Sequence, residues 1–273
     1  MVRLRPSAVA GLFYPADPAV LADLVDGLLR DVRVERHTAR PVAAIAPHAG
    51  YVYSGAVAAA TFAHLAQWRS EITRVVLLGP AHFVHLEGMA LPSVDAFATP
   101  LGPVEIDDDA RTAASGLPGV DVDSLPHHRE HSLETQLPFL QRALDPRVPV
   151  LPVLVGRTEP AAVATLISTL VPDGGTVAVV STDLSHYLDL PSAQERDART
   201  AAAILARDAA AIRPEDACGH WALRGLVHHV AEQRLDVELL RLGTSADAGS
   251  DPHRVVGYGA FLVHAPTPDR DPN

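Results

Sequence analysis

Short, continuous apolar runs alternate along the chain with alanine-rich stretches whose apolar positions recur every three or four residues. Residues 17–32, "DPAVLADLVDGLLRDV", have that helical spacing, with Asp17 placed as N-cap and Pro18 at the first helical position. Residues 42–47, "VAAIAP", predict a buried strand, residues 54–68 a helix, and 74–82, "RVVLLGPAH", a second strand. The alternation continues with strands in 148–156 and 174–186, a helix over 159–171 between them, helices over 197–212 and 219–235, and a last strand at 255–264. Apolar strands joined by helices imply an α/β fold with a largely parallel central sheet and helices on both faces. Residues 85–125 are less regular and predict added antiparallel strands or a flap. No internal repeat or Pro/Gly/Ser linker divides the chain, so one domain over residues 1–265 is expected, with 266–273 as a C-terminal tail.

The pattern also places chemistry. In open α/β sheets ligands bind beyond the carboxyl ends of the strands. His48 stands just past "VAAIAP", His82 past "RVVLLGPA", and Asp183 and His186 past "TVAVVST". A further cluster, "HHREHSLETQLPFL" at 127–140, holds His127, His128, Glu130 and His131 ahead of an expected helix with Ser132 as N-cap. There Glu130 and His131 would sit at the mouth of the helix, near its free N–H groups. His127 and His128 read equally well as solvated loop residues.

Composition narrows the chemistry. At 273 residues, 48% hydrophobic and with mean hydropathy +0.12, the chain is long and apolar enough for a large core. All 22 basic residues are arginine, so lysine-dependent Schiff-base or P-loop chemistry is excluded. A net charge of −11 with no basic arm argues against nucleic acid, and no apolar run is long enough to span a membrane or serve as a secretory signal. A cytoplasmic location is the expectation. The single cysteine, Cys218 in "DACGHWALRG", precedes a predicted helix, where terminal N–H groups lower a thiol pKa. A thiolate with two imidazoles is a ligand set for zinc, iron or copper.

Nine segments in order, "AGLFYPADP", "IAPHAGYVYSG", "LLGPAHFV", "TPLGPVEID", "EHSLETQLPFLQ", "VPVLVG", "STDLSHY", "ACGHWAL" and "VGYGAFL", resemble the Memo family, labelled in prokaryotes as AmmeMemoRadiSam system protein B. The resemblance spans residues 5–265. It implies a fold like that of the class III extradiol dioxygenases and a metal held by His48, His82 and Cys218, with Asp183 and His186 lining the same pocket. Thiolate in place of that fold's usual carboxylate ligand softens the site, favouring zinc, copper(I) or thiolate-tolerant iron.

Three functions follow as expectations. The first is a metal-dependent, dioxygenase-like redox enzyme acting on a small molecule through iron or copper. The second is a metal-assisted hydrolase using zinc, and the third a non-catalytic metal- or peptide-binding module, since the family's animal members are associated with signalling and peptide binding. His186 is the expected acid/base group, oriented by Asp183, with Glu130 and His131 adding hydrogen bonds and Tyr51 contacting substrate. The prokaryotic label also implies a radical-SAM partner protein. The sequence leaves the oligomeric state open.

Overall fold

A computed structural model describes residues 2–35, 39–172 and 174–265. The expected tail, 266–273, lies outside them. In chain order the elements are β1 (Leu4–Arg5), α1 (Pro18–Arg30), β2 (Pro41–Ala46), α2 (Tyr51–Leu65), β3 (Arg74–Pro80), β4 (Met89–Leu91), β5 (Ala96–Thr99) and β6 (Gly102–Glu105). There follow α3 (Asp108–Ser115), β7 (Val120–Val122), α4 (Leu137–Ala143), β8 (Val150–Val155), α5 (Pro160–Leu170), β9 (Thr176–Ser181) and β10 (His186–Leu188). The chain continues through α6 (Leu190–Leu205), α7 (His220–Gln233), β11 (Asp236–Thr244) and β12 (Val255–His264). Asp17 caps α1 as expected, its carboxylate accepting the N–H groups of Ala19 and Val20.

The main sheet runs β10-β12-β2-β9-β3-β8-β4-β7, with β11 paired to β12. Its centre, β2-β9-β3-β8, is parallel, and every residue of β8 and β9 is buried, which is why these strands read as unbroken apolar runs. Antiparallel pairs flank that centre: β12 with β2, β10 and β11 on one side, β4 with β8 on the other. Strands β5 and β6 from the irregular stretch form a small second sheet with β1.

Chain direction explains the helical layers. From β2 through α2 to β3 the chain steps over β9 one way, and from β8 through α5 to β9 it steps over β3 the other way. The right-handed rule for such crossovers puts α2 and α5 on opposite faces, in keeping with their separate helical neighbours. Helices α1, α2 and α4 pack together, with the Phe62 and Phe139 rings stacked 5.2 Å apart, while α5 packs on α7. At that second contact a Cβ on Gly225 would lie 2.2 Å from the Cβ of Val163, so only glycine allows the approach. Among the described residues no helix is long and apolar enough to cross a membrane.

Candidate metal centre

The carboxyl ends of β2, β3 and β9 open on one cavity of about 670 Å³, within the range of small-molecule sites. His48, His82, His131, Asp183, His186 and Cys218 all line it. His186 opens β10 and the others come from loops just beyond a central strand or just ahead of a helical turn, so positions scattered along the sequence meet at one point of the fold.

Two hydrogen-bond chains fix which nitrogen each ligand imidazole presents. The Ser181 hydroxyl donates to the carbonyl of Ser132 (2.6 Å) and accepts from Nε2 of Gln136 (2.8 Å). Its one proton is thus committed, and the 3.0 Å contact with His48 Nδ1 must be an N–H donated by the imidazole. The Nε2 lone pair of His48 is left facing Cys218 Sγ at 3.3 Å. His82 follows the same logic. Its Nδ1 lies 2.9 Å from Oε1 of Glu130, and an ionised carboxylate only accepts, so Nδ1 donates and Nε2 keeps its lone pair.

One ligand atom from each of His48, His82 and Cys218 lies within 4.8 Å of the others. Two bonds of roughly 2.0–2.3 Å span at most about 4.6 Å, so the set closes on a metal ion with little movement. Two unprotonated imidazole nitrogens and one sulfur, with both imidazoles anchored from behind, are the donor set that borderline transition metals take. A second group, His82, Glu130 and His131, is equally close, yet both Glu130 oxygens already accept N–H groups.

The electrostatics separate the ligands from their supports. Burial, with His82 next in effect, pushes His48 down to about 3, so its ring stays neutral. Burial opposes ionisation of Glu130, but the hydrogen bonds from His82 and the backbone N–H of Ser132 outweigh it and hold the carboxyl down to about 2. Glu130 is therefore a fixed acceptor that orients His82 rather than an acid or base. Glu130→Gln is expected to weaken metal binding roughly 10–100-fold, as loss of such outer partners does. Competition against a chromophoric chelator measures it.

Cys218 departs from its sequence expectation. Burial and the facing Asp183 push its thiol up, not down. Helix α7 begins two residues later, at His220, and the near neighbours of the sulfur are the Asp183 N–H at 3.3 Å and the Thr182 hydroxyl at 3.7 Å. An incoming metal ion has to displace the thiol proton.

Asp183 accepts the backbone N–H of His48 at 2.7 Å, tying the β9 loop to the β2 loop, and burial pushes its carboxyl up. His186 donates Nδ1–H to the Leu184 carbonyl (2.8 Å), which leaves the lone pair on Nε2. The next residue, Tyr187, has φ of 61°, the left-handed region that bulky residues rarely enter, and its ring lies under the Arg254 guanidinium, 4.5 Å away.

Three expectations need correction. Tyr51 is buried and donates its hydroxyl to the Thr135 carbonyl at 2.6 Å; the tyrosine of that segment lining the cavity is Tyr53. Ser132 does not cap a helix but donates its hydroxyl to the Pro80 carbonyl, and the segment opens as a 3-10 turn at Glu134–Gln136 before α4. His127 is buried, with Nε2–H donating to the Ala90 carbonyl, whereas His128 is exposed. Sequence reasoning also missed Ser181 and Gln136, although both lie inside the quoted motifs; for Ser181 a polar residue at the end of an apolar strand was the available signal.

The family model for Memo-like proteins matches residues 5–262. This chain belongs to the Memo family. A MEMO1 family protein of Methanosarcina barkeri is 35% identical, covering 95% of this chain and all of its own length. One from Methanopyrus kandleri is 35% identical over 94% of this chain and 98% of itself, and one from Aquifex aeolicus 37% over 72% of each. Among solved structures, the uncharacterized protein JW3007 from Escherichia coli K12 has a similar fold, with a TM-score of 0.56 and 12% identity, covering 82% of this chain and 100% of that one.

Acid should unfold the metal-free protein early. Burial is the main cause that pushes His48 down to about 3 and His127 and His131 to about 4, all below the ordinary 6.5. Between 6.5 and about 4 the unfolded chain binds these protons and the folded one does not, so stability falls as pH falls. Three such groups give a slope of up to about 4 kcal/mol per pH unit. The contribution of Glu130, held below its ordinary 4.5, is lost only at lower pH. Urea midpoints from pH 7 to 4.5 test this, a flat profile being the contrary result.

Proposed function

We propose that this Memo-family chain binds one transition-metal ion through His48, His82 and Cys218 and uses it in dioxygenase-like redox chemistry on a small organic molecule, with iron or copper as the metal. The observation that carries the reading is the pair of fixed imidazoles presenting Nε2 lone pairs beside Cys218 Sγ in a roomy cavity. When bound, such a metal supplies one-electron chemistry and a Lewis-acid centre with open positions.

The chain's own residues do the rest. Ser181 and Glu130 hold the two imidazoles in orientation, and Leu12, Phe13, Tyr53 and Val256 supply apolar surface to the cavity wall. His186 Nε2 takes and returns a proton, and Asp183 holds the β2 and β9 loops in register. His131, stacked 4.6 Å from His82, adds a polar group to the wall.

The test is oxygen uptake by anaerobically purified protein loaded with iron(II) or copper(I), against a panel of small phenols and carboxylic acids. Wild type should turn over at least one compound, His186→Ala should keep its metal and lose turnover, and Cys218→Ser should lose both. Metal bound with no redox turnover of any compound would support the binding-module reading; hydrolysis dependent on zinc would support the hydrolase.

A further inference from the structure

Tyr258 is a large, buried polar side chain of the cavity for which the centre described above has no use. It sits in the middle of β12 and is 1% exposed as a residue. Its ring is clamped by Val57 and Ala60 of α2 and by Ala260. Alternation along β12 sends Gly257 and Tyr258 to opposite faces. A Cβ on Gly257 would meet the Asp197 carboxylate at 1.8 Å, so that side is closed and Tyr258 faces the cavity side. It lines the same cavity as His48, Asp183 and Cys218.

The phenol has no partner. Among the described residues no group donates to it and no acceptor receives its O–H, whereas Tyr14 and Tyr51, comparably buried, each donate, to Glu134 and to the Thr135 carbonyl. The phenol oxygen is not sealed among the buried polar atoms that lack a partner, so it opens on the cavity it lines. Where the unmet donor lines a ligand-sized cavity, a ligand acceptor completes it. Burial and the facing Asp183 push the phenol further up, so it serves as a donor and not as a base.

We infer that Tyr258 donates a hydrogen bond to an oxygen of the bound small molecule, and that the ligand class is a compact organic anion with one ionised oxygen group, such as a carboxylate or phenolate, on an apolar body. The class follows from the inventory of the walls. A metal held by His48, His82 and Cys218 would supply a cation for that oxygen, the Tyr258 O–H would supply a donor, and Leu12, Phe13, Tyr53 and Val256 would face the apolar body. Among the described residues no arginine lines the cavity, so it offers no forked cation for a second anionic group. This inference rests on the proposed metal centre.

Tyr258→Phe removes the hydroxyl and keeps the ring. Because the hydroxyl has no protein partner, the variant should keep the wild-type Tm and the wild-type affinity for cobalt(II). Benzoate is the probe, titrated into cobalt-loaded protein and followed by the visible cobalt bands. Wild type should bind it, Tyr258→Phe about tenfold more weakly or worse, and benzamide, neutral and of the same shape, should bind neither well. Equal benzoate affinity in the two proteins overturns the donor role; a Tm collapse in Tyr258→Phe overturns it too, by showing a structural hydroxyl. Cobalt-loaded wild type that ignores benzoate overturns the ligand class. Failure of wild type to bind cobalt at all overturns the metal centre itself and this inference with it, and is told apart by the missing thiolate-to-cobalt band.

Discussion

Replacing Glu134 by alanine is expected to destabilise the fold by about 3–5 kcal/mol, the range for breaking a buried ion pair from one side. Glu134 is fully buried and accepts from the Arg5 guanidinium, the backbone N–H groups of Ala8 and Val9 at 2.7 and 3.0 Å, and the Tyr14 hydroxyl at 2.6 Å. Alanine leaves a buried arginine, two amides and a phenol with that acceptor gone. Arg5 keeps carbonyl acceptors on Pro6, His127 and Glu130 and the Phe97 ring 4.7 Å from its guanidinium, but no anionic partner among the described residues. The damage reaches the cavity, since residues 5–14 carry Leu12 and Phe13 to its wall and the Phe13 carbonyl accepts the N–H of Tyr51, the first residue of α2. Urea unfolding of the metal-free proteins measures the loss; a change below about 1 kcal/mol, the scale of a surface pair, would show that the network is not what anchors this segment.

Cys218→Ser is expected to abolish high-affinity metal binding while leaving the metal-free fold near wild-type stability. The sulfur makes only long contacts, 3.3–3.7 Å, to His48, Asp183 and Thr182, so its loss removes little from the folded protein. Serine offers a hydroxyl that stays protonated where a soft metal wants an anionic sulfur. The affinity loss should exceed the roughly 10–100-fold expected for Glu130→Gln, because a ligand is worth more than its support. Chelator competition gives the affinity and thermal melting the stability. A variant that binds as tightly as wild type would remove Cys218 from the ligand set.

The central strands and the meeting of His48, His82 and Cys218 were legible because they rest on strong signals. Unbroken apolar runs mark β2, β3, β8 and β9, and residues just beyond parallel strands, His48 and His82 among them, gather at one edge, whereas Cys218, ahead of α7, joined the set through the family resemblance. Strand β11 was not seen. It is only half-buried, and Asp236, Glu238 and Arg241 break its apolar pattern just after the long α7. Helix α3 is eight residues of mostly polar and small type, too short to show a period. Tyr51 and Tyr53 illustrate a finer limit: two residues apart at a helix start, they point about 200° apart, one to Phe139 and the core, the other to the cavity, and no local pattern says which. Tyr258 was hidden for a related reason, being indistinguishable in sequence from any other aromatic in a buried strand until the lack of a partner for its hydroxyl is seen.

The most direct test of the metal centre is elemental analysis of protein purified anaerobically without added metal, wild type beside Cys218→Ser and His48→Ala. The account predicts close to one iron or copper per chain in wild type and near none in either variant, with all three folded. Wild type without metal even after incubation with iron(II), copper(I) or zinc, or metal retained unchanged in both variants, would contradict it.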